Sequence, residues 1–92
     1  MSDERLAFDR ARTLRMRGAG SLKIADDLRG RGLAEALIAA AVEASMEGEP
    51  EASWARRVLE RAGDPRGARA WRLLASRGFV EETIAELLGE PG

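Results

Sequence analysis

The side chains able to do chemistry are unevenly represented in this chain. Fifteen of its 92 residues are basic, all but Lys23 being arginine, and sixteen are acidic, while histidine and cysteine are absent. Without histidine no side chain titrates near neutrality at its ordinary value, so the usual general base is missing. Without cysteine there is no thiolate nucleophile, no disulfide framework and no thiolate zinc site. The carboxylates of Glu43, Glu47, Glu49 and Glu51, and of Glu81, Glu82 and Glu86, follow no recognised metal-ligand spacing, and solvated helix faces account for them. No catalytic residue, metal, cofactor or small-molecule ligand is expected. Arginine remains, and its planar fork suits carboxylates and phosphates better than a lysine point charge does.

The arginines are not spread evenly. Up to Arg31 there are eight basic residues against five acids, and from Gly32 to Ser53 there are five acids and no base. Seven arginines against two acids follow between Trp54 and Val80, and the chain closes with four further acids from Glu81 onward. A basic front and an acidic back are thus written twice, although formal net charge is only −1. Such a basic surface can meet an acidic protein patch or a phosphate backbone, or can simply keep a small protein soluble.

The elements that carry these charges read as helices. From Asp64 to Leu88 the pattern is helix, stop, helix. Asp64 is the expected cap and Pro65 the first helical residue, Ala68, Trp71, Leu74 and Ala75 form the apolar face, and Gly78 is the stop. A last helix is expected from about Glu81 to Leu88, and Glu90 to Gly92 should fray. The same pattern occurs 46 residues earlier: Leu28, Arg31, Gly32, Glu35, Ile38 and Ala39 recur as Leu74, Arg77, Gly78, Glu81, Ile84 and Ala85. Upstream, Arg10 and Arg15 match Arg56 and Arg61, and Phe8 matches Trp54. A first helix to about Arg17 should bury Leu6, Ala7, Ala11 and Leu14 with Arg5, Arg12 and Arg15 outside. Ser21 should cap the second, and the third should run from about Ala34 to Met46. A fourth, after the EGEPE linker, should bury Trp54, Ala55, Val58 and Leu59 and expose Arg56, Arg57 and Arg61 until Gly63.

These readings give an all-α chain of two tandem three-helix repeats, helix-turn-helix-like units without strands, at residues 1–47 and 48–92. Together they should form one small elongated domain. The longest apolar run, Leu37 to Val42, is too short to span a membrane, and the opening MSDERLAFDR lacks the apolar core of a signal peptide, so a cytoplasmic protein is expected. Each helix, Arg-Gly, helix unit could in principle dock in a DNA groove. The would-be recognition helices are acidic or apolar, however, and phosphate would repel them.

The run GAGSLKIADDLRGRGL, Gly18 to Leu33, resembles the middle-repeat signature of the RecX family: a glycine pair, a basic residue before isoleucine, an acid then leucine, and a basic-Gly-apolar stop. Trp54-Ala55 followed by RAWRLLASRGFVEETIAELL is similar to that family's final repeat. The resemblance implies an all-helical, non-enzymatic regulator of the RecA recombinase that lies in the groove of the RecA filament on single-stranded DNA. It further implies suppression of the filament's ATPase and strand exchange, in the setting of recombination and DNA repair. Carried over to this chain, the contact residues would be Arg12, Arg15, Arg17, Lys23, Arg29 and Arg31, then Arg56, Arg57, Arg61, Arg69, Arg72 and Arg77, with a weak direct DNA contact possible in principle. A helical module for another acidic partner and a small nucleic-acid binder are the alternative readings.

Overall fold

The computed structural model describes residues 2–89, and the expectation for Glu90 to Gly92 lies outside them. Six helices follow one another: α1 (Asp3–Met16), α2 (Ser21–Gly30), α3 (Glu35–Ser45), α4 (Glu51–Arg61), α5 (Gly67–Ser76) and α6 (Glu81–Leu88). No strand occurs among the described residues. Extensive helix packing stays within α1–α3 or within α4–α6. The result is a rod of 45 × 20 × 20 Å with two separate cores.

In the first unit Ala7 and Ala11 of α1 meet Ile24, Leu28, Leu33, Ile38 and Ala41, with Phe8, Leu14, Leu37 and Val42 packed around them. The alanines keep α1 close to its neighbours. In the second, Trp54, Ala55, Val58 and Leu59 of α4 meet Ala70, Leu74, Phe79 and Ile84. Ala70 stands where Ile24 does, and the larger residues of α4 make up the volume.

Helix starts bear out the 46-residue offset for the second and third members of each trio, since α2 and α5 begin at Ser21 and Gly67, and α3 and α6 at Glu35 and Glu81. The offset lapses in the first members. Gly18 and Gly63 each follow the C-cap of their helix, at Arg17 and Ala62, and they lie 45 residues apart. The extra residue falls in the link from α4 to α5.

Four local expectations need correction. Gly20, not Ser21, is the N-cap of α2, because the Ser21 amide and hydroxyl are both engaged elsewhere. Arg66 caps α5 in place of Asp64, which instead adopts a left-handed φ of 57° as its amide donates to the Leu59 carbonyl. The later start makes Ala70 and Leu74 the buried face of α5, with Trp71 half-buried and Ala68 and Ala75 exposed. In α1 the buried stripe is Ala7, Ala11 and Arg15, at i, i+4 and i+8, which leaves Leu6 43% exposed and turns Phe8 onto the core.

Candidate partner-binding surface

The expectation that Arg15 is exposed is the principal correction among the candidate residues. It is 1% exposed, on the alanine stripe of α1, at the joint between the two units. Its guanidinium donates from Nε to Ser45 Oγ at 3.1 Å, from Nη2 to Ser21 Oγ at 2.9 Å, and from Nη1 to Glu51 Oε2 at 3.1 Å and the Ala19 carbonyl at 3.4 Å. Glu51 also accepts from the Ser21 amide at 2.7 Å and from Thr83 Oγ1 at 3.0 Å. Burial alone would raise the Glu51 carboxyl, but the hydrogen bonds from Ser21, Arg15 and Thr83 outweigh it and hold it below its ordinary value. Burial weakens the Arg15 guanidinium's hold on its proton, against which Glu51 works. A side chain enclosed in this way is unavailable to a partner.

Backbone completes the joint. The Gly20 amide donates to the Arg77 carbonyl at 2.7 Å and the Leu22 amide to the Gly78 carbonyl at 2.9 Å, so the turn before α2 lies directly on the turn before α6. A Cβ on Gly20 would run into the backbone of Gly78 and Phe79, and one on Gly78 into Lys23. Gly78 also has a φ of 89°, which doubles the requirement for glycine.

The remaining candidates divide by whether a carboxylate already holds them. Arg12 lies 3.8 Å from Glu47, Arg29 forks onto Glu35 and reaches Asp26, and Arg31 meets Asp27, which Arg10 also grips. Asp27 is held below its ordinary range chiefly by Arg10, and Glu35 by Arg29. Arg57 is half-buried, pinned to Glu49 at 2.7 Å and stacked 4.3 Å above the Trp54 ring. By contrast Arg17, Lys23, Arg56, Arg61, Arg69, Arg72 and Arg77 have no ion-pair partner among the described residues. Arg61 donates to the Met16 carbonyl at 3.3 Å, and Arg77 is half-buried beside Gly18. Arg66, which is not among those candidates, is likewise exposed and unpaired among the described residues.

Sequence reasoning also missed Ser21, Ser45, Glu51 and Thr83 as a functional group of residues. The available signal was the spacing of Arg15 from Ala7 and Ala11, since a cation on a buried stripe demands a buried carboxylate. Among the described residues no cluster of acids gathers to hold a metal ion, and no helix is long and apolar enough to cross a membrane.

Residues 2–42, from the N-cap of α1 into the last turns of α3, match the family model described as RecX, second three-helix domain. Comparison with curated proteins and with solved structures gives no significant match.

Proposed function

We propose that the chain, whose residues 2–42 match the second three-helix domain of RecX, is a non-enzymatic regulator that binds the RecA nucleoprotein filament and restrains its ATPase and strand exchange. The reading divides the chain into repeats at residues 1–47 and 48–92, and gives the contact to the exposed basic residues, with Arg15 removed from that set by its burial. The observation that carries it is the family match over a three-helix unit, together with a surface of arginines that are unpaired among the described residues and able to fork onto acidic or phosphate groups. No step of it calls for a cofactor, and direct contact with DNA would be secondary.

The test is to add the full chain to RecA, ATP and single-stranded DNA and follow hydrolysis. Inhibition that saturates with added protein is the expected result. Unchanged hydrolysis at a large molar excess would remove the proposal and leave a helical module for some other acidic partner.

A further inference from the structure

We infer that the second repeat makes the principal contact with the partner, through an arginine ridge at Arg66, Arg69 and Arg72 on α5, and that the face it meets is an acidic protein surface. The inference rests on the filament-binding reading and narrows it to one half of the chain and one kind of chemistry.

Three observations converge. All three residues are exposed, and none has an ion-pair partner among the described residues. Arg69 and Arg72 stand one helical turn apart, so they share a face, and Arg66 extends the line as the residue that caps α5. On α2, at the matching offset, Lys23 replaces Arg69 and Asp26 replaces Arg72, so the first repeat has no equivalent ridge. An unpaired arginine enters an interface without first breaking an internal ion pair, whereas Arg29 or Arg31 would have to leave a carboxylate to bind another.

Forked contacts to carboxylates are a geometry that this molecule's own arginines already adopt. Arg10 forks onto Asp27, Arg29 forks onto Glu35, and Arg57 places one nitrogen between both oxygens of Glu49. The acids around the ridge point the same way. Glu60 and Asp64 precede it and Glu81 and Glu82 follow it in the chain, which disfavours a continuous run of phosphates but not a patterned protein face.

The experiment measures binding of the full chain to preformed RecA filaments on single-stranded DNA, and to the same DNA without RecA. It compares the native chain with Arg66→Gln/Arg69→Gln/Arg72→Gln and with Arg12→Gln/Arg29→Gln/Arg31→Gln, each checked for helicity. The ridge variant should lose about tenfold or more in filament affinity and the first-repeat variant, whose arginines contribute less because carboxylates already hold them, only about threefold. Equal losses, or a larger loss in the first-repeat variant, overturn the assignment to α5. Binding to naked DNA as tight as to the filament, and lost in the ridge variant, overturns the acidic protein face. If the native chain binds no filament at all, it is the filament reading that fails, visible before any variant is made.

Discussion

The two halves of the rod carry equal numbers of arginines and of acids and use them differently. Seven arginines and eight acids lie on each side of Gly48. Among the described residues, Arg5, Arg10, Arg12, Arg15, Arg29 and Arg31 of the first half all face carboxylates and Arg17 does not, whereas in the second half Arg57 alone does so. Composition therefore does not decide whether a charge is available to a partner. Placement does: Asp27 sits between α1 and the end of α2 where two arginines reach it, while Leu73 occupies the matching position on α5. The joint adds the extreme case, since Arg15 closes on a carboxylate from the other repeat.

This contrast can be broken most severely at Arg15. Arg15→Ala strands Glu51 in a site with little water and should cost about 3–5 kcal/mol, whereas Arg29→Ala, which opens an exposed pair, should cost less than about 1 kcal/mol. Thermal unfolding of both variants by circular dichroism checks the difference, and equal melting temperatures would mean that the joint is not a buried ion pair in solution.

The two stop glycines give the next largest effect. Gly78→Ala meets a left-handed φ of 89° and the Lys23 backbone together, and about 2–3 kcal/mol should be lost. Gly32→Ala meets only φ, at 80°, with nothing nearby, and should lose about 1 kcal/mol. Urea midpoints will rank them, and the reverse order would show that the two turns do not touch.

Thr83→Val removes one donor to Glu51 and leaves Arg15 and Ser21 in place, so about 1 kcal/mol is expected. The matching change in the first repeat, Leu37→Val, trims a half-buried apolar residue and should cost a comparable amount without altering the acid response.

That acid response is the finest probe. Glu51, Asp27 and Glu35 are all held below their ordinary values when folded, so the unfolded chain binds protons at a higher pH than the folded one. The stability they supply is whole above the ordinary glutamate value of 4.5 and drains as pH falls below it and through the lowered folded value. In Glu51→Gln the drop in melting temperature between neutral and acid pH should be smaller than in the native chain, with Asp27 and Glu35 supplying what persists.

Much of the fold could be read from residue order because its signals are local. Gly32 and Gly78 end helices, Glu81 opens one, and Trp54, Ala55, Val58 and Leu59 line one face of α4, as their spacing requires. The failures came where a distant partner decides. Ser21 has the chemistry of a cap, but the Glu51 carboxylate thirty residues away takes its amide. Charge alone puts Arg15 outside, whereas its position on the Ala7–Ala11 stripe carries it inward. The extra residue between α4 and α5 went unseen because Arg10/Arg56 and Arg15/Arg61 keep the sequence offset while the helix stops do not. Among the candidate contacts, the sequence could name the arginines but not which of them a carboxylate already occupies.

The two backbone bonds from Gly20 and Leu22 to the turn at Arg77 and Gly78 belong to neither hydrophobic core. Deuterium uptake at those two amides therefore times the parting of the halves, while uptake within α3 and α6 times the melting of each half by itself. A pair of peptide groups thus serves as a gauge of how stiffly the rod is held straight, readable without any label and before any partner is added.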